Sequence, residues 1–150
     1  AYLIKIERDQ IGAVIGPGGK IIQEMQAKTG TKINIEEVGD KGIINVAGTN
    51  KEGMDQAIAM IEKITFTPQV GDVYDGTVAS IFPFGVFVDF RNKSGLLHVS
   101  EMSHSRIDNV EDVFKVGDPV KIKLIGVDPK TGKLRLSRKA LMNRDGSPIN

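Results

Sequence analysis

The sequence predicts two domains: an α+β domain with the order β-α-α-β-β-α, followed by an all-β barrel of five short strands. A glycine-rich turn, Gly16-Pro17-Gly18-Gly19, separates two segments with helical apolar spacing. This helical spacing is lost at Pro68, and from Gly71 onward β-branched residues alternate between glycine turns. We therefore predict a first domain over residues 1–66, a linker over 67–70, a second domain over 71–142 and a flexible tail over 143–150.

The elements of the first domain follow from the spacing of its apolar residues. Ile11, Val14 and Ile15 mark one face of a short helix that ends at the glycine turn. A second helix follows the turn and ends at Gly30, since glycine is a common helix terminator. Residues 3–6, 32–37 and 43–47 are predicted strands. A long helix, capped by Asn50, carries an apolar stripe and completes the domain.

The second domain is predicted from short β-branched segments separated by turns. The predicted strands cover residues 73–81, 85–90, 96–99, 120–127 and 134–137. A helical turn at residues 110–114 interrupts them between the third and the fourth. Five short strands with one helical interruption are typical of a small closed barrel of the OB kind.

The glycine turn has the features of a phosphate-binding corner. Glycines permit positive φ and let a ligand approach the main chain, while Lys20 adds a positive charge. A Walker-type loop would need glycine at Val14 and a hydroxyl residue at Ile21, and a dinucleotide fingerprint would need glycine at Ile21. Two interpretations of the turn therefore remain: a Gly-x-x-Gly clamp that binds nucleic acid, or an ordinary corner between two helices.

Alternation along the predicted strands assigns an exterior to the barrel. If Val86 and Val88 fill the interior, Phe87 lies outside, with Phe84 close to it. The other residues predicted to point outward are His98, Lys121, Lys123, Lys133 and Arg135. Aromatic rings beside cations suit single-stranded nucleic acid, because bases stack on rings and cations follow phosphates. The alternative is that the phenylalanines close the core, that His98 is structural and that the cations are merely solvated.

Composition restricts the classes of function. The net charge of +1 limits nucleic-acid binding to local patches. The absence of cysteine excludes disulfides and thiolate chemistry, and no apolar run or leader indicates a membrane or secretory segment, so we expect a cytoplasmic location. Ser100, His98 and Asp89 have no reason to converge as a triad, and we predict neither a catalytic residue nor a metal site.

Residues 1–66 resemble the type-I KH domain in element order and in the glycine clamp between the first two helices. This resemblance implies an RNA-binding clamp and groove formed by Ile15, Gly16, Pro17, Gly18, Gly19, Lys20 and Ile22. The chain departs from many relatives because the two variable clamp positions, Pro17 and Gly18, carry no basic side chain. Phosphate contact would then depend on backbone N–H groups and Lys20.

Residues 71–141 resemble the S1 motif, an RNA-binding OB barrel. The resemblance rests on Phe84-Gly85-Val86-Phe87-Val88, on Gly95-Leu96-Leu97-His98-Val99-Ser100 and on residues 132–137. It implies an RNA face formed by Phe84, Phe87, His98, Asp128 and Lys133. Relatives often carry arginine at the last position, and lysine keeps the charge but lacks the two-pronged recognition of phosphate.

A KH domain followed directly by an S1 motif resembles the C-terminal part of the polynucleotide phosphorylase family. The resemblance implies capture of single-stranded RNA for a 3′-to-5′ phosphorolytic exoribonuclease that degrades mRNA. It also implies a homotrimer, degradosome-type protein partners, and Mg²⁺ and inorganic phosphate in a catalytic core outside these residues. We predict no cofactor within this stretch.

Two other functions remain open at the level of the sequence. Exposed apolar residues around Phe82 and Phe84 would suit a protein-interaction or oligomerisation module. The same pair of domains would also suit an RNA-binding fragment of a translation or transcription factor. Salt dependence distinguishes the first from RNA binding, because counterion release makes RNA affinity fall with added salt.

Overall fold

The computed structural model describes residues 1–149, which divide into two compact units between Phe66 and Thr67. Residues 67–70, predicted as a linker, group with the second unit. The backbone N–H of Gln69 donates to Tyr74 Oη at 2.9 Å. Close by, the N–H of Gly71 donates to the carbonyl of Leu124 at 2.7 Å. The segment before the first barrel strand is therefore attached to the barrel by hydrogen bonds.

The first unit has the predicted order of strands and helices. Its elements are β1 (Tyr2–Glu7), α1 (Ile11–Ile15), α2 (Lys20–Thr29), β2 (Lys32–Val38), β3 (Lys41–Ala47) and α3 (Lys51–Thr65). The strands form an antiparallel sheet in the order β1-β3-β2. No helix within residues 1–149 is long and apolar enough to cross a membrane.

The core of the first unit lies between this sheet and the three helices. β3 is the central strand, and its Ile44 and Val46 are fully buried. The remaining core residues are Ile6, Ile11, Val14, Met25, Ile33, Ala57 and Ile61. Asn50 caps α3 as predicted, because its Oδ1 accepts the N–H of Glu52 at 2.8 Å. The glycine turn is thus held between two helices that are both anchored in one core.

The second unit is a closed five-stranded barrel, which confirms the predicted fold class. Its strands are β4 (Val73–Phe82), β5 (Gly85–Phe90), β6 (Lys93–His98), β7 (Pro119–Val127) and β8 (Leu134–Ser137), in the barrel order β4-β5-β6-β8-β7. β6 and β8 pair in parallel, and the other neighbours are antiparallel. The predicted helical turn is a 3-10 turn at Val110–Asp112, with Val110 and Phe114 buried.

The C-terminal segment folds back on itself. Met142 pairs with Pro148 in an antiparallel bridge, and the N–H of Ile149 donates to the carbonyl of Leu141 at 2.9 Å. The segment predicted to be a flexible tail therefore forms a closed turn over residues 143–149. Asn150, the last residue of that predicted tail, lies outside the described residues.

Candidate nucleic-acid interface

The glycine turn of the first unit has a packed side and an open side. Gly16, Gly18 and Gly19 have φ values of +74°, +62° and +78°, which favour glycine. A Cβ on Gly16 would lie 2.5 Å from Cγ1 of Ile21, so this glycine is required by close packing. A Cβ on Gly18 would meet nothing within 4 Å, and one on Gly19 would meet only Gln23 Nε2, at 3.6 Å. The turn is therefore accessible at Gly18 and Gly19.

Much of the hydrogen-bonding capacity of the turn is used to close it. The N–H of Gly16 donates to the carbonyl of Gly12 at 2.9 Å, and that of Gly19 donates to Gly16 at 3.1 Å. The N–H of Lys20 donates to the carbonyl of Pro17, which itself has no N–H. Within the described residues this leaves Gly18 with a backbone N–H free of an acceptor in the turn. Of the backbone N–H groups on which phosphate contact was predicted to depend, three are thus used within the turn.

The other predicted clamp residues differ in their exposure. Pro17 and the side chain of Lys20 are exposed. Ile15 and Ile22 are half-buried and pack against the core of the first unit. The turn thus presents a small exposed backbone surface, one cation and two partly accessible apolar side chains.

The outer surface of the barrel carries three phenylalanines, which we call the aromatic cluster: Phe82, Phe84 and Phe87. Phe82 and Phe84 stack with centroids 5.4 Å apart, and Phe87 meets Phe82 edge-on at 5.6 Å. Val86 and Val88 are fully buried, so Phe87 projects outward as predicted and is half-buried. The sequence does not predict Phe82 as a residue of this surface. Its ring contacts with Phe84 and Phe87 bring it into the aromatic cluster.

A cavity of about 360 Å³ on the barrel brings together most of the predicted polar residues of the face. We call it the His98 cavity, and its lining includes His98, Asp128, Lys133 and Arg135. Nζ of Lys133 also lies 5.9 Å from the centroid of the Phe87 ring, which connects the cavity to the aromatic cluster. β6 lies between β5 and β8, and this order explains why residues distant in sequence meet.

Asp128 has a structural role at the edge of this cavity. Its Oδ1 accepts the backbone N–H groups of Lys130 at 2.8 Å and Thr131 at 3.2 Å. These hydrogen bonds lower the pKa of the Asp128 carboxyl, and the charges of Arg135 and Lys133 act in the same direction. Asp128 is therefore ionised near neutral pH. Within the described residues its Oδ2 has no hydrogen-bond partner and can accept one.

The hydrogen bonds of His98 determine which ring nitrogen can donate. Nδ1 accepts the N–H of Ser100 at 3.1 Å and lies 2.8 Å from Ser100 Oγ. Since an accepting Nδ1 carries no hydrogen, the neutral ring carries its hydrogen on Nε2. The side chain is exposed, so Nε2–H is a donor that a ligand can reach.

Two of the cations predicted for the outer surface of the barrel, Lys121 and Lys123, do not line the His98 cavity. Lys121 lines a separate cavity with Val120 and Arg138, and its Nζ is 4.0 Å from Oδ1 of Asp75. Lys123 on β7 is half-buried and lies opposite Val73 in the sheet. Alternation correctly predicts that a side chain points out of a barrel, but it does not specify the position around the barrel.

Comparison with known proteins assigns both units. The model of the KH domain family matches residues 2–63, and that of the S1 RNA binding domain matches residues 67–139. The chain is 53% identical over 141 residues to the polyribonucleotide nucleotidyltransferase of Bacteroides fragilis. This match covers 93% of this chain and 20% of the relative. Identity to the enzyme of the same name from Porphyromonas gingivalis is 50% over 141 residues, with 93% and 19% covered. The chain thus spans about one fifth of the length of these relatives.

Among solved structures, the intact alpha subunit of aIF2 from Pyrococcus abyssi is 29% identical, with a TM-score of 0.47. The match covers 53% of this chain and 32% of that one.

Proposed function

We propose, from the premise that this chain belongs to the KH and S1 RNA-binding domain families, that it captures single-stranded RNA for a polyribonucleotide nucleotidyltransferase. The observation that carries this proposal is the position of Lys133 beside Phe87, at the edge of a cavity that also contains His98 and Asp128. Rings, a cation, a donor and an acceptor on one surface match the base, phosphate and ribose of a nucleotide.

On the barrel, the exposed rings of the aromatic cluster provide surfaces for stacking. A base stacked on such a ring contributes about 1–3 kcal/mol with little dependence on sequence. Lys133 would neutralise a phosphate, while Oδ2 of Asp128 would accept a hydrogen bond from a ribose 2′-hydroxyl or a base amino group. The hydrogen on His98 Nε2 would be donated to an acceptor on the same nucleotide. A carboxylate that accepts from the 2′-hydroxyl would favour RNA over DNA.

On the first unit, the glycine turn would hold the sugar–phosphate backbone. The main chain is accessible at Gly18, where no side chain blocks a phosphate. The N–H of Gly18, the positive end of the α2 helix dipole and the charge of Lys20 would attract it. Ile15 and Ile22 would contact the bases. A clamp of this kind holds about four nucleotides, and two weak sites in one chain raise avidity through effective concentration.

The activity of the whole protein is proposed from the relatives that are named polyribonucleotide nucleotidyltransferase. We propose that it degrades mRNA by 3′-to-5′ phosphorolysis in the cytoplasm, as a homotrimer with degradosome-type partners. Mg²⁺ and inorganic phosphate would act in a core outside these residues. The test is phosphate-dependent release of nucleoside diphosphates from RNA by the full-length protein. Release that does not require phosphate would contradict the proposed reaction.

RNA binding itself is tested by titrating the 150-residue chain into labelled single-stranded RNA, single-stranded DNA and duplex RNA of one sequence. We expect the tightest binding to single-stranded RNA and a linear fall of log K with log salt between about 50 and 200 mM. A protein-interaction module would bind no RNA, or would bind it without this salt dependence. Equal affinity for the duplex would contradict stacking on the aromatic cluster.

A further inference from the structure

A second cavity on the barrel, of about 380 Å³, shares Ser100 with the His98 cavity. We propose that this second cavity binds a backbone phosphate of the same RNA strand, next to the nucleotide on the aromatic cluster. We call it the Arg106 cavity, and its polar lining is Ser100, Ser103, His104, Ser105, Arg106 and Lys139. The proposal rests on the proposed RNA-binding function. It extends the path of the RNA beyond the RNA-binding residues that were predicted from the sequence.

The two cavities differ in charge, and this difference indicates what each can bind. The His98 cavity has two carboxylates in its lining, Asp128 and Glu101, beside its cations. The charged side chains that line the Arg106 cavity are cationic. A phosphate is repelled by carboxylates and attracted by guanidinium, ammonium and hydroxyl groups. The interior of the first cavity therefore suits a ribose or a base edge, with Lys133 at its edge beside Phe87 left to contact a phosphate, and the second cavity suits a phosphate of its own.

The segment that forms the Arg106 cavity is held in place by side-chain hydrogen bonds. Nε2 of His104 donates to the carbonyl of Met142 at 2.9 Å, since a carbonyl oxygen can only accept. Oγ of Ser103 accepts the N–H of Ser105 at 3.1 Å, so the hydroxyl hydrogen of Ser103 remains available to a ligand. His104 thus ties the segment to the C-terminal turn, and Ser103 contributes a donor.

Arg106 is available because its ion pair with Asp108 is weak. Nε of Arg106 lies 3.0 Å from Oδ1 of Asp108, and the two side chains are 90% and 82% exposed. Exposed pairs of this kind contribute little to stability, and the guanidinium retains other N–H donors. Asp108 is nevertheless a competitor for a phosphate at Arg106. Removal of its charge should therefore strengthen RNA binding, whereas removal of Arg106 should weaken it.

The test measures affinity and salt dependence of single-stranded RNA binding by Arg106→Gln, Lys139→Gln and Asp108→Asn in the whole chain. Lys115→Gln is the matched control, because Lys115 is an exposed cation that lines neither cavity. We expect Arg106→Gln and Lys139→Gln to weaken binding by about two- to fivefold. Each should also reduce the slope of log K against log salt by about 0.7. Asp108→Asn should strengthen binding, and Lys115→Gln should leave it nearly unchanged.

Phe87→Ala separates failure of this inference from failure of the proposed function. If Phe87→Ala weakens RNA binding but Arg106→Gln and Lys139→Gln behave like Lys115→Gln, the phosphate site is wrong and RNA binding stands. If Phe87→Ala also has no effect, the proposed RNA face itself is wrong. A third arm adds inorganic phosphate alone and follows amide shifts of residues 103–106 by NMR. A response to phosphate combined with unchanged RNA affinity in the two cation variants would overturn the RNA assignment.

Discussion

The ammonium nitrogen of Lys133 lies 5.9 Å from the centroid of the Phe87 ring, although Lys133 directly precedes β8 and β8 does not pair with β5, the strand of Phe87. At this distance the cation is attracted to the face of the ring, and the contact holds a positive charge over the outer surface of the barrel. A base that stacks on this surface would bring its phosphate near that charge. The pair therefore joins the two kinds of contact that single-stranded RNA requires.

Phe87→Ala should weaken binding of single-stranded RNA by about 1–3 kcal/mol, because one stacking surface is lost. Since the ring lies outside the barrel, the thermal unfolding temperature should change little. Phe90→Ala on the same strand is the control: its ring is 2% exposed, and its loss should reduce the free energy of unfolding by about 3–5 kcal/mol. Fluorescence anisotropy and thermal circular dichroism measure the two effects. Unfolding of the Phe87 variant would identify Phe87 as a core residue.

Lys133→Gln should reduce RNA affinity and the slope of its salt dependence, because one phosphate contact is removed. The expected change in slope is about 0.7. Lys130→Gln in the same turn removes an equal charge at an exposed position outside the His98 cavity, so it should have a smaller effect. Titrations over a range of salt concentrations measure both. Equal effects of the two variants would show that only the overall charge matters.

Asp128 should titrate below the ordinary carboxyl value of 3.8, because its ionised form accepts two backbone N–H groups. A lowered pKa in the folded chain means that ionised Asp128 stabilises the barrel fully above that ordinary value. The contribution is lost as pH falls through the lowered pKa. Asp128→Asn should therefore lower the unfolding temperature near neutral pH and have less effect in strong acid. A carboxyl NMR titration with its midpoint at or above 3.8 would contradict this.

Gly16→Ala should destabilise the first unit by more than about 1 kcal/mol. Its φ of +74° strains a residue with a Cβ, and that Cβ would lie 2.5 Å from Ile21 Cγ1. Gly12→Ala in α1 is the matched control, because a Cβ there meets nothing within 4 Å, and alanine favours the helix by about 0.5–1 kcal/mol. Urea denaturation gives both values. A stable Gly16→Ala variant would mean that α1 and α2 can move apart.

Gly18→Asp and Gly19→Asp should leave the chain folded and weaken RNA binding. Aspartate tolerates positive φ better than most residues, and both positions have room for a side chain. A negative charge at the turn would repel the phosphate. Gly30→Asp is the control, because it places the same charge at a positive-φ glycine with open space, at the other end of α2 and away from the turn. RNA titrations that give equal affinities for all three variants would show that the glycine turn does not hold RNA.

The local parts of the fold and of the site could be predicted from residue spacing alone. Alternation of Val86, Phe87 and Val88 correctly placed the ring outside the barrel, because the side-chain period of a strand is a local property. The glycines of the turn similarly indicated a corner with positive φ between two helices. Hydrogen bonding was less predictable: the N–H groups of Gly16 and Gly19 close the turn, which sequence spacing does not show.

By itself the sequence determined the order of elements, the closed turn between α1 and α2, and which barrel side chains point outward. Only the tertiary structure decided which of those outward side chains are neighbours. Lys133 lies beside Phe87 and lines the same cavity as His98, whereas Lys121 lines a separate cavity with Arg138. The physical reason is that position around a closed barrel depends on strand order and register, which are set by pairings between segments distant in the chain.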